Sequence, residues 1–104
     1  MAVAAVTEWD IQGQDRSTMN YDAIGRRLDT ANNPPAGGLF HTAGYDEEAG
    51  VFRIFDVWES REDAQRFIED RLMPALRAEL GDELEASAPK RQYFYELHDA
   101  AGAR

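Results

Sequence analysis

The stretch Val51-Phe52-Arg53-Ile54-Phe55-Asp56-Val57-Trp58-Glu59-Ser60-Arg61-Glu62-Asp63-Ala64 decides how the rest of the chain must be arranged. Val51 to Glu59 is dominated by β-branched and aromatic residues and reads as a strand. Alternation sends Phe52, Ile54 and Trp58 to one face and Val51, Phe55 and Val57 to the other. A strand that is apolar on both faces must lie inside two layers of material. Ser60 then offers a helix N-cap, with Asp63 near the position of a capping-box acid. Beyond it, Ala64, Phe67, Ile68, Leu72, Ala75, Leu76 and Leu80 recur at three and four, the spacing of an amphipathic helix. Pro74 predicts a bend or a restart in that helix, and Gly81 a C-cap.

Working outward, Leu39 to Tyr45 reads as a strand, joined to the first by a hairpin loop at residues 46–50. Asn32-Asn33-Pro34-Pro35-Ala36-Gly37-Gly38 is a dense stop signal. Before it, a helix is predicted from an N-cap at Ser17 or Thr18 to about Ala31, with Met19, Ile24 and Leu28 beside Tyr21 and Gly25 along one stripe. Gly25 weakens the interior of this helix and marks a close backbone approach. Ala2 to Trp9 reads as a first strand, Lys90 to His98 as a last one, and residues 100–104 as a frayed tail. The order β-α-β-β-α-β is the ferredoxin-like α+β arrangement, with a four-stranded antiparallel sheet in one domain over residues 1–99. Two helices cover only one face of such a sheet. The doubly apolar strand therefore calls for a second copy, sheet against sheet, as the partner.

The chain has 104 residues and carries 11 Lys plus Arg against 20 Asp plus Glu, a net charge of −9. That field repels a phosphate backbone and an anionic membrane surface, so nucleic acid and membranes are not expected partners. The apolar stretches are too short to cross a bilayer. Met1 to Val6 lacks the basic flank of a signal peptide, and a cytoplasmic location is expected. Cysteine is absent, which removes disulfides, thiolate metal sites and Cys nucleophiles. The two histidines lack metal-ligand spacing, and no metal is expected. There is no phosphate-binding glycine loop and no Gly-x-Ser-x-Gly elbow.

His41 is the leading candidate for chemistry, because it sits in a strand among small and apolar neighbours and histidine suits proton transfer near neutral pH. If the hairpin pairs Ala43 with Phe52, His41 lies opposite Ile54 and diagonal to Asp56, which could orient it as a base. A slip of one residue would place Arg53 opposite His41 and abolish the pair. The competing assignment is a histidine satisfied in the core or at the dimer seam. Arg53 suits a salt bridge across the dimer better than an anionic ligand. Tyr93 and Tyr95 alternate with Phe94 on the last strand, and His98 falls near its end. Trp9 and Tyr21 could border a pocket.

Gly38-Leu39-Phe40-His41-Thr42-Ala43-Gly44 and Phe55-Asp56-Val57-Trp58-Glu59-Ser60-Arg61-Glu62-Asp63-Ala64 resemble small actinobacterial-type proteins of the dimeric α/β-barrel superfamily, close to the antibiotic-biosynthesis monooxygenase-like domains. Phe67-Ile68 and Leu72-Met73-Pro74-Ala75-Leu76 add to the resemblance, which spans nearly the whole chain. It implies a homodimer and a cleft between sheet and helices, with Trp58, Phe52, Ile54 and Tyr21 as substrate-binding walls. Trp58 has a second assignment as a core anchor for the following helix. The resemblance also includes haem-degrading proteins, but Ser60 to Gly81 contains no histidine to serve as axial ligand, and no cofactor is expected. The implied activity is a cofactor-independent oxygenase, isomerase or cyclase acting on an aromatic or polyketide-like molecule, with His41 and Asp56 as catalytic residues. The alternative is a non-catalytic dimeric domain that binds a ligand or a protein. Fold alone does not choose between them.

Overall fold

The computed structural model of the chain describes residues 2–101; Met1 and most of the predicted tail, residues 102–104, lie outside the described part. Four strands, β1 (Val3–Asp10), β2 (Gly38–Asp46), β3 (Val51–Trp58) and β4 (Arg91–Glu96), form one sheet in the order β2-β3-β1-β4. Every neighbouring pair is antiparallel. With α1 (Met19–Leu28), α2 (Arg61–Phe67) and α3 (Met73–Leu80), this is the ferredoxin-like α+β fold that the element order predicts. The two most apolar strands, β1 and β3, take the centre, where both edges are paired.

Register sorts the side chains into two faces. Val3 lies opposite Trp58 and Ala5 opposite Phe94, and these residues meet Ala64 and Phe67 of α2. Trp58 and Phe67 stack with ring centroids 5.3 Å apart, a tilted aromatic contact at the heart of this layer. On the other face Ala4, Val6, Val51 and Val57 are buried although no helix covers them. Their cross-strand neighbours do so: Tyr95 opposite Ala4, Tyr93 and Phe55 opposite Val6, Phe40 opposite Val57. Phe40, Tyr93 and Tyr95 themselves stay exposed. No large side chain among the described residues is fully buried, so one chain alone closes only a modest core.

The helices differ from expectation in two places. α1 stops at Leu28 rather than near Ala31, because Asp29 turns into the left-handed region (φ 47°) and its N–H closes on the Gly25 carbonyl. Met19 falls off the stripe and is 73% exposed, and α1 has no buried residue at all. It rests on α3 through the Arg27–Glu79 ion pair. The second predicted helix opens as read, with the Ser60 hydroxyl accepting the Asp63 N–H at 3.1 Å. It is then divided by a five-residue π turn, Ile68–Leu72, where the Met73 N–H reaches back to the Ile68 carbonyl. The wide turn resets the ladder so that Pro74, which has no N–H, enters α3 in its first turn. Arg71 of this turn donates to the Leu28 and Asn33 carbonyls, at 2.9 and 2.7 Å, and so caps the end of α1.

Candidate active site

The β2–β3 hairpin sets the site. Asp46 pairs with Val51 across a four-residue turn, with Gly50 at φ 73° donating to the Asp46 carbonyl and the Asp46 side chain accepting the Ala49 N–H. This turn is two residues longer than one that would pair Ala43 with Phe52. Ala43 therefore lies opposite Ile54, Tyr45 opposite Phe52, and His41 directly opposite Asp56 rather than diagonal to it. A shift of two residues leaves every side chain on its expected face. A bulge between Gly38 and Phe40 absorbs the mismatch at the far end and lets Gly38 settle beside Trp58.

Nδ1 of His41 stands 2.6 Å from Oδ1 of Asp56, and Nε2 stands 2.5 Å from the Tyr21 hydroxyl. An ionised carboxylate only accepts, so Nδ1 carries the hydrogen in this contact. Neutral His41 then accepts the Tyr21 O–H at Nε2, and protonated His41 donates there instead. Tyr21 comes from α1 and lies parallel to the imidazole, with 5° between the ring planes. The hydrogen bond and the charge of Asp56 hold the His41 pKa above its ordinary value, outweighing the opposing effect of partial burial. Burial, assisted by the charges of Asp56 and Asp22, pushes the Tyr21 pKa up and keeps that hydroxyl protonated. The His41 side chain is 55% exposed and that of Asp56 only 20%, so the base faces outward while its carboxylate is shielded.

Phe52 borders the pair. Its ring meets Tyr45 (centroids 4.8 Å apart), Tyr21 (5.7 Å) and Trp9 (6.3 Å), forming an aromatic wall on the helix-facing side. Trp9 is fixed by its indole N–H on the Ser87 carbonyl at 2.8 Å. Ile54 lies half-buried between Thr7 and Ala43 on the same face. Trp58 is 5% exposed and packs on Phe67. Arg53 points to the other face and bonds within its own chain, to Glu8 at 2.7 Å and Asp46 at 2.8 Å, rather than waiting for a second copy. His98 is exposed beyond the end of β4.

Two concavities flank this layer. One, of about 440 Å³, runs along α1 past Tyr21, Gly25, Arg26 and Asp29. The other, of about 420 Å³, lies between α2 and β4 and is lined by Arg61, Gln65, Ile68 and Phe94. Neither is lined by His41 or Trp58. Sequence reasoning missed Tyr45 as part of the aromatic wall, although its alternation with His41 and Ala43 carries that signal. It named Tyr21 only as a wall residue. The contact with Nε2 depends on how α1 docks, which no local pattern encodes. Among the described residues, no group of three or more His, Asp or Glu side chains is placed to hold a metal ion. Nor is any helix there long and apolar enough to cross a membrane.

No protein-family model matches the chain, and no curated protein matches it. Its fold is that of solved structures named as antibiotic-biosynthesis monooxygenases and their like. SnoaB of Streptomyces nogalater, a cofactor-independent oxygenase, superimposes with a TM-score of 0.62 at 14% identity over 95% of each chain. Rv0793 of Mycobacterium tuberculosis does so with 0.64 at 16% identity, over 98% of this chain and 100% of the other. A candidate antibiotic biosynthesis monooxygenase of Nitrosomonas europaea gives 0.64 at 12% identity, over 97% and 94%. At these identities the likeness is one of fold.

Proposed function

We propose that the chain is a cofactor-independent, monooxygenase-like enzyme acting on a hydroxylated aromatic or polyketide-like molecule in the cleft between the sheet and its helices. The observation that carries this reading is the His41–Asp56 pair, a base held in one tautomer by a shielded carboxylate, with its other nitrogen on the Tyr21 hydroxyl. The oxygenase activity named for SnoaB on the same fold supports the choice of reaction. His41 takes the proton of a ring hydroxyl. That hydroxyl is the enol form of a ring CH₂–C=O unit, so the former CH₂ carbon, now CH, carries the electron density of the anion. It reduces dioxygen and bonds to it, and the resulting peroxide takes the proton back from His41. Water is then lost as the remaining C–H hydrogen leaves with the distal OH. The balance is CH₂ plus O₂ giving C=O plus H₂O, with dioxygen as the only oxidant. Phe52, Ile54 and Tyr21 are proposed as substrate-binding walls; Trp58 serves them from behind as a core anchor.

We also infer a homodimer formed through the open sheet faces. Support comes from Phe40, Tyr93 and Tyr95, which leave an apolar face exposed around buried Ala4, Val6 and Val57.

Dioxygen uptake with dithranol, a dihydroxyanthrone, tests the enzyme reading. The wild-type chain should raise uptake and quinone formation about 100-fold over buffer, and His41→Asn should return both to background. Equal rates for the two proteins would sink it. The rival, a non-catalytic binding domain, draws support from the absence of His41 from both concavities. It predicts dithranol binding with no uptake above buffer.

A further inference from the structure

The concavity along α1 and the hydrogen bond at Nε2 belong together. Tyr21 takes part in both: its hydroxyl covers the outward nitrogen of His41, and its side chain lines the concavity. A substrate hydroxyl cannot reach Nε2 without displacing that contact. Four residues on, Gly25 sits in the interior of α1, where glycine is less favourable than alanine. No backbone approaches it, contrary to expectation; a Cβ built there meets nothing within 4 Å. The glycine therefore serves no contact within the chain and leaves the floor of the concavity bare. Arg26 lies on the same wall and makes no ion pair among the described residues. The Asp22 carboxylate is engaged by the Thr18 hydroxyl at 2.9 Å, and that of Asp29 by the Asn32 amide at 3.0 Å. A volume of about 440 Å³ suits a ligand of one to three rings.

We propose that a phenol binds over Gly25 with its hydroxyl on Tyr21, which passes the phenol's proton to His41 in a relay backed by Asp56. The phenol O–H bond breaks as its proton moves to the Tyr21 oxygen. The Tyr21 O–H bond breaks in turn as its own proton moves to Nε2. The phenolate keeps its electron pair, faces a neutral Tyr21 donor, and lies near the Arg26 guanidinium. Tyr21 is then the catalytic group that touches substrate, and Asp56 a positioning residue. This rests on the reading of His41 as a base but needs no oxygen chemistry.

Absorbance titration of para-nitrophenol, free and bound to the full chain, tests the relay. Bound to wild type it should ionise roughly one pH unit lower than free. Tyr21→Phe should weaken binding roughly 3- to 10-fold and abolish the shift. His41→Asn should keep the binding and abolish the shift. Gly25→Leu should abolish binding while the melting temperature holds or rises, since leucine favours the helix. An unaltered shift in Tyr21→Phe or in His41→Asn, or wild-type binding by Gly25→Leu, would overturn the proposal. If the shift follows the predicted pattern but dithranol drives no oxygen uptake, the relay stands and the oxygenase reading falls. Uptake that survives Tyr21→Phe but not His41→Asn would do the reverse.

Discussion

His41 and Asp56 face each other because a four-residue turn closes their hairpin, and their coupling makes stability depend on pH. Asp56 raises the folded pKa of His41 above its unfolded value of about 6.5. Charged His41 therefore adds stability that is fully present below about pH 6.5 and is lost as pH rises through the folded pKa. The groups facing His41 are Asp56 from β3 and Tyr21 from α1, and Asp22 adds its charge near Tyr21. Asp56→Asn removes the carboxylate that favours the charged form. Its melting temperature should fall below wild type by more at about pH 5.5 than at about pH 9, measured by calorimetry. A deficit of equal size at both would show that the pair does not couple. Residue types and strand alternation were enough to single out both partners. Their direct opposition was not legible, because hairpin loop length depends on the left-handed Gly50 and the Asp46 side chain. Tyr21 joined them only through the docking of a helix, a contact of long sequence separation.

At the scale of elements, the junction after β3 is the best specified part of the chain. Ser60 caps α2, and Gly37, at φ 81°, lies so close to Asp63 that a Cβ would strike its carboxylate. The Gly37 carbonyl also accepts the Glu59 N–H at 2.8 Å, tying the start of β2 to the end of β3. Ser60→Ala should cost about 1 kcal/mol in urea unfolding. Gly37→Ala should cost more, about 2 kcal/mol, since it adds both a clash and an unfavourable φ. The reverse order would mean that Asp63 moves freely away. The cap was visible in the sequence as Ser-x-x-Asp, and the break near Pro74 as a proline inside an amphipathic run. The π turn was not, because it lies wholly upstream of the proline that it accommodates. α1 was read too long for a similar reason: Asp29 adopts a left-handed conformation that sequence assigns first to glycine or asparagine.

At the scale of the molecule, strand alternation led to the expectation that β3 needs cover on two faces, and on one of them only side chains of neighbouring strands, not a helix, supply it. The exposed aromatics Phe40, Tyr93 and Tyr95 surround buried small residues. Glu8 is also buried there, held by Arg53 at 2.7 Å with Arg91 at 3.6 Å. Tyr95→Asp places a charge among the exposed aromatics of this face, on the edge strand β4. It should convert a dimer to a monomer in sedimentation velocity while leaving the helix-facing aromatic wall intact. A wild-type chain that sediments as a monomer at high concentration would contradict sheet pairing.

The most direct test of the proton-carrying pair is a ¹⁵N NMR titration of the His41 ring in wild type and Asp56→Asn. The hydrogen should sit on Nδ1 in the neutral wild-type ring, with a pKa above about 6.5 that falls in Asp56→Asn. A neutral ring protonated on Nε2, or a pKa the same in both proteins, would contradict it.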